Sequence, residues 1–370
     1  MRDQRTGFIL VFFMLCAIIL LMTVFASASI RTHTSARAFC LYEPSRNEFL
    51  FSCNADARLP MASTTKIRTG ILAIERFDLK EVVEIPKEAT NIEGSSVYLS
   101  EGDKITMEDL LYSLLLASAN DAACAIAYAV AGDISEFSGL MNSKAAELGL
   151  DDTHFDNPHG LDSDTHYTTA KDLARLTSYA LRNNTFKQIV STYAYSFYIG
   201  EKPRILTNHN KLLKSCDDCI GVKTGYTSKS GRCLVSASTR NDITLIAVTL
   251  DDPNDWKDHK DLYSEGFSSL TSIKIGNLID PTLDIPLLGG AKDYLIANVD
   301  YKSDEIVVLL SPEEKVDVCF LYNKFIIAPI SNGDIIGEAV IKVDGNAISR
   351  YNIIAAEDIK PTKNKFSIFI

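Results

Sequence analysis

The motif Ser63-Thr64-Thr65-Lys66 stands at the beginning of a predicted helix that extends to about Arg76. Residues three apart lie on one face of a helix, so the Lys66 amine can reach the Ser63 hydroxyl. A serine becomes a good nucleophile when a neighbouring base takes its proton, and a lysine is such a base when burial or nearby cations lower its pKa. The free N–H groups of a first helical turn can also receive an oxyanion. The motif therefore predicts a catalytic serine–lysine pair, although a helix cap followed by a surface lysine has the same pattern.

Two further motifs lie where chain segments meet. Ser118-Ala119-Asn120 stands at the joint between two predicted helices, where the serine can relay a proton to a leaving nitrogen and the amide can hold a substrate backbone group. Lys223-Thr224-Gly225 stands at the end of a predicted strand, where the lysine and threonine can bind a carboxylate and the glycine lets a substrate lie against the strand. Each triplet alone is equally well explained as a turn or a strand end. All three in this order are much more specific than any one of them.

The elements around these motifs predict an antiparallel sheet with helices packed on it, in the α/β (α+β) class. They are, in chain order, strands at 38–41 and 49–53, helices at 107–115 and from 121, a helix capped by Thr168 or Thr169, strands between 220 and 250, and a helix over about 256–270. Two strands come first, helices fill the middle and strands return, which is the segregated order of an antiparallel sheet covered by helices.

After about residue 272 the sequence shows only short strands. They fall at 305–310, 316–321, 338–343 and 351–355, divided by turn signals such as Asp344-Gly345-Asn346. This pattern predicts a small all-β domain, a sandwich or partial barrel. We therefore expect a catalytic domain over 29–272 and a second, β-sandwich-like domain over 273–370.

The first 28 residues have the pattern of an export signal. Arg2 and Arg5 precede an apolar run over 8–25, and Ala26-Ser27-Ala28 then supplies small residues for cleavage. The run just reaches the length that spans a bilayer, so the alternative is an uncleaved anchor. Either reading places the rest of the chain outside the cytoplasm, in the cell wall or on the outer face of the membrane. Membrane contact is then expected only through this segment, if it is uncleaved.

Charge excludes two classes of partner. The 370 residues include 37 Lys and Arg against 48 Asp and Glu, a net charge of −11. Nucleic-acid backbones and anionic membrane surfaces both favour positively charged proteins. Neither is therefore expected as the main partner.

The sequence resembles the serine-type D-alanyl-D-alanine carboxypeptidases, the low-molecular-weight penicillin-binding proteins. The matching stretches are 62–67, 118–122, Asn157-Pro158-His159-Gly160-Leu161, 210–213, 221–227 and 231–235. The likeness is strong over about 36–270, and a weaker one over 333–358 is to the β-domain that follows in this family. The resemblance implies a β-lactamase/transpeptidase-like fold and needs no cofactor and no metal.

The resemblance implies a two-step acyl transfer on peptidoglycan stem peptides ending in D-Ala-D-Ala. Ser63 attacks the bond between the two D-alanines, Lys66 accepts its proton, and Ser118 passes a proton to the departing amine. Water then hydrolyses the acyl-enzyme. Penicillin and other β-lactams, which mimic the dipeptide, are expected to acylate the same serine and to leave slowly.

The resemblance also implies the substrate-binding residues, which are Asn120, Lys223, Thr224, Gly225 and Tyr226. Asn120 orients the bound peptide, and Lys223 and Thr224 hold its terminal carboxylate. The backbone N–H groups of Ser63 and Tyr226 form the oxyanion hole. Some family members add an arginine after the strand that carries K-T-G, but 251–259 contains none here, and Lys257 is the remaining candidate there.

Three other functions share parts of this pattern. A class A β-lactamase needs a glutamate, usually in E-x-x-L-N, and no such match follows Ser118. A transpeptidase or endopeptidase differs only in what donates or accepts the acyl group, so the sequence does not separate it. A catalytically weak penicillin-sensing or wall-binding module would be expected to lack one of the motif residues, and none is lost.

Cysteines and histidines carry weaker signals. Cys219 and Cys233 fall on strands expected to be neighbours, so a disulfide between them is one candidate, and a Cys40–Cys53 pair is a second. His159, His166 and His209 are expected to make structural hydrogen bonds, because the Ser–Lys pair already supplies a nucleophile and a base.

Overall fold

A computed structural model describes residues 34–274, 278–279, 282–301 and 307–362. The predicted export signal over 1–28 lies outside these residues. The helices are α1 (Lys66–Arg76), α2 (Met107–Leu115), α3 (Asn120–Ala131), α4 (Ile134–Glu147), α5 (Ala170–Leu181), α6 (Asn184–Ser191), α7 (Leu212–Ser215) and α8 (Asp255–Ser268). The strands of the first 270 residues are β1 (Ala38–Glu43), β2 (Glu48–Cys53), β3 (Val82–Glu84), β4 (Lys104–Thr106), β5 (Ala194–Ile199), β6 (Lys202–Thr207), β7 (Cys219–Thr227), β8 (Gly231–Arg240) and β9 (Ile243–Leu250). Those that follow are β10 (Thr271–Lys274), β11 (Thr282–Leu288), β12 (Tyr294–Val299), β13 (Val307–Leu310), β14 (Val316–Tyr322), β15 (Ile326–Ile327), β16 (Ile335–Val343) and β17 (Asn346–Ala355).

The central sheet has five antiparallel strands in the order β2-β1-β9-β8-β7. Successive side chains of a strand point to opposite faces, and β1 buries both sets. Ala38, Cys40 and Tyr42 belong to the large core that contains the helices α1 to α6, whereas Phe39 and Leu41 pack with α8. The sheet is therefore covered on both faces, as the segregated order of elements predicts. Strand β7, which carries the K-T-G triplet, forms one edge of the sheet.

The helices that the sequence predicts are present, whereas α4, α6 and α7 have no counterpart in the prediction. The Thr169 side chain accepts from the Asp172 N–H at the start of α5, so Thr169 and not Thr168 is the cap. Helix α3 is buried along most of its length, from Asn120 to Ala127. A helix this small and apolar has no solvent face to offer, which explains why its sequence shows no amphipathic stripe.

The C-terminal part of the chain is all-β, as predicted. Six strands form one sheet in the order β14-β16-β17-β12-β11-β15, around a separate apolar core that includes Ile285, Leu295 and Ile353. Strand β10 (Thr271–Lys274) straddles the predicted boundary at 272 and pairs with β13 (Val307–Leu310). The Arg46 guanidinium, in the β1–β2 turn, bonds both carboxylate oxygens of Glu314 at 2.7 and 2.8 Å and the Leu309 carbonyl at 2.8 Å. An ion pair thus links the two parts of the chain.

All seven cysteines that the structure describes are free thiols. Cys53 pairs across the hairpin with Phe39, whereas Cys40 pairs with Ser52, so one thiol is exposed and the other buried. On the neighbouring strands β7 and β8, Cys219 pairs with Ser238, and Cys233 pairs with Gly225. Both suggested disulfides are therefore wrong, because strand register separates the partners.

No helix within the described residues is long and apolar enough to cross a membrane.

Candidate active site

Ser63 lies in a 3₁₀ turn, Ala62–Thr65, that runs directly into α1. The sequence predicts one continuous helix here, but the first turn is tighter. The Thr64 and Thr65 hydroxyls donate to the carbonyl oxygens of Met61 and Ala62, at 2.6 and 2.8 Å. Side-chain bonds of this kind compete with helical backbone bonding and favour a turn. Ser63 is therefore held in a hydrogen-bonded turn at the N-terminal end of α1.

The Lys66 amine is the best-defined group of the site. The residue is completely buried, and Nζ lies 2.9 Å from Ser63 Oγ, 2.7 Å from Asn120 Oδ1 and 2.6 Å from the His159 carbonyl oxygen. Burial, followed by the charge of Lys223, holds the pKa of Lys66 well below its usual range. A neutral amine has two N–H donors and one lone pair. The two carbonyl oxygens take the donors, which leaves the lone pair for the Ser63 hydroxyl.

Two loops aim these carbonyl oxygens at Lys66. The Asn120 amide nitrogen donates to the Glu93 carbonyl at 2.5 Å, which turns the amide oxygen towards Lys66. Asn157 Oδ1 accepts from the His159 and Gly160 N–H groups, which shapes the loop that carries the His159 carbonyl. The sequence interpretation assigns Asn120 to the substrate alone and misses its contact with the lysine.

Gly160 makes this loop fit. It has φ of +91°, and a Cβ at this position would lie 1.9 Å from the Ala62 carbonyl oxygen.

His166 supports the serine turn from the side of Thr65. Its Nδ1 atom accepts a hydrogen bond from the Asp156 N–H at 3.0 Å, so its other ring nitrogen carries the proton and donates to Thr65 Oγ1 at 2.8 Å. Burial lowers the pKa of His166 to about 4. His166 therefore acts as a neutral hydrogen-bonding residue, in line with the sequence prediction.

Ser118 and Lys223 form a second pair beside the first. Lys223 is 1% exposed, and its amine donates to Ser118 Oγ at 3.0 Å and to the Thr224 carbonyl at 2.9 Å. Burial lowers the pKa of Lys223 to about 7. Ser118 has φ of +60° in the link between α2 and α3, which turns its hydroxyl to the lysine. A strained backbone at a serine is typical of a functional site.

Gly225 lets β7 approach the serine turn. A Cβ at Gly225 would lie 3.0 Å from the Ser63 nitrogen and 3.1 Å from the Ala62 side chain. Any larger residue would push the strand away from Ser63. The next residue, Tyr226, exposes its ring to solvent.

A cavity of about 340 Å³ opens at these groups. It is lined by Ser63, Ser95, Ser118, His209, Lys211, Thr224, Gly225, Tyr226, Arg232, Asp255 and Trp256. Five of the predicted site residues therefore face one cavity, while Lys66, Asn120 and Lys223 are buried behind its wall. A larger cavity, of about 630 Å³, lies beside the Arg46–Glu314 ion pair, and none of the predicted site residues lines it.

The sequence interpretation misses the arginine of this cavity. Lys257 forms an exposed ion pair with Asp261 and does not line the cavity. Arg232 does line it, from β8, directly opposite Tyr226. The hairpin could have revealed this position of Arg232, because the short turn between β7 and β8 sets the register that brings Arg232 beside the K-T-G strand.

No group of three or more His, Cys, Asp or Glu side chains in the described chain is arranged to hold a metal ion.

Comparisons with known proteins agree with this geometry. The family model for D-alanyl-D-alanine carboxypeptidase matches residues 24–254, and the model for the penicillin-binding protein 5 C-terminal domain matches residues 285–361. The D-alanyl-D-alanine carboxypeptidase DacF of Bacillus subtilis is 29% identical over 337 residues, which cover 88% of this chain and 86% of that protein. The D-alanyl-D-alanine carboxypeptidase of Streptomyces sp. strain K15 is 36% identical over 219 residues, 54% of this chain and 75% of that protein.

Solved structures share the fold. Penicillin-binding protein 5 from Haemophilus influenzae superimposes with a TM-score of 0.66 at 25% identity, over 89% of this chain and 98% of that one. The DD-transpeptidase of Streptomyces K15 superimposes with a TM-score of 0.61 at 32% identity, over 64% of this chain and 98% of that one. The first likeness extends over both the antiparallel sheet with its helices and the C-terminal β-domain.

Proposed function

We propose, from the premise that this chain belongs to the D-alanyl-D-alanine carboxypeptidase family, that it removes the terminal D-alanine from peptidoglycan stem peptides through an acyl-enzyme on Ser63. The observation that carries the proposal is the environment of the Lys66 amine. Two fixed carbonyl oxygens accept its N–H groups, so its lone pair is directed at the Ser63 hydroxyl.

Acylation begins when Ser63 Oγ attacks the carbonyl carbon between the two D-alanines. The hydroxyl proton passes to Lys66 Nζ, which can act as a base because burial lowers the pKa of this amine. The carbonyl oxygen becomes an oxyanion, and the backbone N–H groups of Ser63 and Tyr226 receive it. Fixed donors of this kind stabilise the developing charge without rearrangement.

The leaving D-alanine must gain a proton before it departs. Ser118 Oγ gives its proton to the amine nitrogen and takes up the proton that Lys66 received from Ser63, which returns Lys66 to its neutral form. The Lys223 amine, 3.0 Å from Ser118 Oγ, supports this transfer. The carbon–nitrogen bond breaks and D-alanine leaves, with Ser63 esterified by the rest of the peptide. Water then attacks the ester with Lys66 as base, which frees Ser63 and a peptide shortened by one residue.

Substrate binding is assigned to Asn120, Lys223, Thr224 and Gly225. Asn120 orients the peptide, Lys223 and Thr224 hold the terminal carboxylate, and Gly225 lets the peptide lie along the edge strand β7. A β-lactam binds in the same place and acylates Ser63, and its ring cannot leave as free D-alanine does. Hydrolysis of that adduct is therefore slow.

The place of action follows from the substrate. Peptidoglycan lies outside the cytoplasmic membrane, and the signal-like segment over 1–28 supports export. We assign catalysis to the domain over 29–272, and the β-domain over 273–370 follows it. Cell-wall biogenesis and cell shape are the processes that this activity would serve.

A labelled penicillin tests the nucleophile. Mass spectrometry should locate one covalent adduct on Ser63, and Ser63→Ala should abolish it. Ser45→Ala is a matched control, because Ser45 belongs to the other S-x-N sequence, in the β1–β2 turn, and should label normally. An adduct on another residue, or normal labelling of Ser63→Ala, would refute the assignment.

A peptide assay separates the activities that share this fold. A pentapeptide ending in D-Ala-D-Ala is incubated with the enzyme, and free D-alanine and the shortened peptide are measured. Release of both in equal amounts supports a carboxypeptidase. A peptide product joined to an added amine acceptor would indicate a transpeptidase, and labelling by penicillin without any D-alanine release would indicate a sensor.

A further inference from the structure

The carboxylate of Asp121, in the first turn of α3, holds the loop over residues 93–99. Its Oδ2 atom accepts hydrogen bonds from the Ser96 hydroxyl at 2.6 Å and from the Leu99 N–H at 3.0 Å. The Val97 nitrogen lies 3.3 Å from Oδ1 and 3.2 Å from Oδ2. Asp121 is 1% exposed, so these bonds replace the water that the carboxylate loses on burial. One buried side chain thus binds the loop at three successive points.

The loop depends on this carboxylate because it has little regular structure of its own. Residues 93–99 form no helix and no strand. Tyr98 has φ of +60°, a conformation that costs energy for a bulky residue, and its ring is exposed, so packing does not offset the cost. The Arg204 side chain donates to the Val97 carbonyl at 3.3 Å. Without the bonds to Asp121, the loop would therefore be expected to leave this path.

The same loop holds the side chain of Asn120. The Glu93 carbonyl accepts from the Asn120 amide nitrogen at 2.5 Å, and the Ser95 carbonyl accepts from the Asn120 backbone N–H at 2.7 Å. The amide oxygen is thereby directed to Lys66 Nζ, 2.7 Å away. A reversed amide would present its NH2 group to Lys66, whose lone pair would then accept from Asn120 and not from the Ser63 hydroxyl. The position of the loop therefore decides whether Lys66 can act as a base.

Asp121 also places a negative charge near the Lys66 amine. Burial and the charge of Lys223 lower the pKa of Lys66, whereas Cys124 and Asp121 raise it. Cys124 is uncharged at neutral pH, because burial raises its pKa to about 12. His159 is neutral as well, because burial lowers its pKa to about 3. Asp121 is therefore the negative group among these four neighbours, and loss of its charge should lower the pKa of Lys66 further.

We infer that Asp121 is a positioning residue for the acylation of Ser63, which acts through the 93–99 loop and Asn120 on Lys66. This rests on the proposed function, because it concerns the base of that same reaction. Asp121 is buried and acts through its neighbours: its carboxylate fixes the loop, the loop fixes the amide, and the amide directs the lone pair of the amine.

The pH dependence of acylation tests this inference. Stopped-flow acylation by a fluorescent penicillin gives the maximal rate and the midpoint of its rise with pH. In Asp121→Asn the maximal rate should fall by about tenfold or more, because an amide cannot accept from the loop at both of its heavy atoms. The midpoint should also move to lower pH, because the negative charge is lost. A purely structural role would lower the rate without moving the midpoint.

Two changes at Ser96 separate the bonds from the charge. Ser96→Ala removes one bond to the carboxylate and leaves its charge, so the maximal rate should fall by about threefold with an unchanged midpoint. Ser96→Thr keeps the hydroxyl and should retain the wild-type rate. Asp103→Asn is the matched control: its carboxylate accepts from the Ser100 N–H at 2.8 Å in the exposed turn after the loop, so neither the rate nor the midpoint should change.

The outcomes are distinct. An unchanged maximal rate in Asp121→Asn, or a lower rate with an unmoved midpoint, would overturn the inference, the second by showing a structural role only. Thermal unfolding shows whether each variant folds. If Asp121→Asn does not, Ser96→Ala carries the test, and an unchanged rate in that variant would overturn the inference. If penicillin does not acylate Ser63 of the wild-type enzyme, the proposed function itself is wrong.

Discussion

Replacing the buried Lys223 with methionine should stabilise the protein at acid pH and inactivate it. Lys223 is 1% exposed, its hydrogen-bond acceptors are a hydroxyl and a carbonyl, and burial lowers its pKa from 10.5 to about 7. In the unfolded chain the amine keeps its proton up to about pH 10.4. Between these two pKa values the unfolded state binds more protons than the folded state, so stability rises with pH across this window. Below pH 7 the penalty is complete.

The magnitude follows from the shift. A pKa lowered from 10.5 to about 7, at 1.36 kcal/mol per unit, corresponds to about 5 kcal/mol of stability lost at pH 6. Methionine fills nearly the same volume but loses two hydrogen bonds, worth about 1 kcal/mol each. Lys223→Met should therefore be about 3 kcal/mol more stable than the wild type at pH 6 and about 2 kcal/mol less stable above pH 10.5. The two curves should cross near pH 9.

Urea unfolding of the full-length chain at pH 6, 8 and 10 measures this difference. The single tryptophan, Trp256, lies in the catalytic domain, so its fluorescence reports on the domain that contains the substitution. Lys229→Met replaces an exposed lysine in the turn after β7 and should shift stability by less than 0.5 kcal/mol at all three pH values. A stability difference for Lys223→Met that does not change with pH, or a less stable variant at pH 6, would refute the reasoning. D-alanine release should be lost at every pH.

Three further predictions address the acylation of Ser63, the loop packed against the Ser63 turn, and the ion pair between the two domains. The rate of Ser63 acylation by a β-lactam should rise with pH along a sigmoid whose midpoint lies well below 10.5, because the pKa of Lys66 is lowered, and a midpoint near 10.5 in stopped-flow data would contradict this. Gly160→Ala should slow acylation by about a hundredfold, since its Cβ would collide with a carbonyl oxygen of the serine turn. Gly149 also has a positive φ but lies in open space, so Gly149→Ala should cost only about 1 kcal/mol of stability. Glu314→Gln should destabilise the protein by about 1–2 kcal/mol at pH 7, because Arg46 lowers the pKa of Glu314 to about 2. That difference, present above pH 4.5, should vanish as pH falls through 2, and a constant difference in calorimetry would exclude the ion pair as its cause.

The elements that the sequence predicts well are those with a local signal. The turn between 43 and 48 separates β1 from β2 as expected, and Thr169 caps α5. The sequence does not predict strands β11 and β12 of the six-stranded sheet. Their exposed faces carry apolar residues such as Tyr294 and Ile296, which break the alternation of polar and apolar positions. Periodicity identifies a strand only where one face is buried and the other is polar.

The site was predictable as a set of residues but not as a set of contacts. Ser63 and Lys66 are three residues apart on one turn, so their contact follows from helix geometry. The bond from Lys66 to the His159 carbonyl spans 93 residues and depends on the path of a loop. Every residue has a backbone carbonyl, so the amino-acid sequence does not indicate which carbonyl will contact Lys66. Only the residues that shape the loop, Asn157 and Gly160, carry a signal for it.

Arg232 is a second case in which the sequence contains the residue but does not show which groups it lies beside. Counting along the chain from K-T-G leads to 251–259, where no arginine is present. In the sheet, however, the nearest neighbours of a strand residue are those across the ladder. Arg232 is only eight residues after Thr224, yet the hairpin turn places it on the same face and beside the same cavity. Register, not separation in sequence, decides which side chains lie beside an edge strand.

The proposed chemistry depends on two lysines that the fold holds in unfavourable surroundings. Lys66 and Lys223 are buried, and within the described chain their amines form hydrogen bonds to neutral oxygens. Carboxylate partners would relieve the burial, but they would also raise the pKa of each lysine and remove the base. A sheet covered on both faces supplies the stability that offsets this cost. In the proposed mechanism the S-x-x-K pattern is therefore catalytic only inside such a core; on a surface helix the same four residues would carry an ordinary, fully protonated lysine.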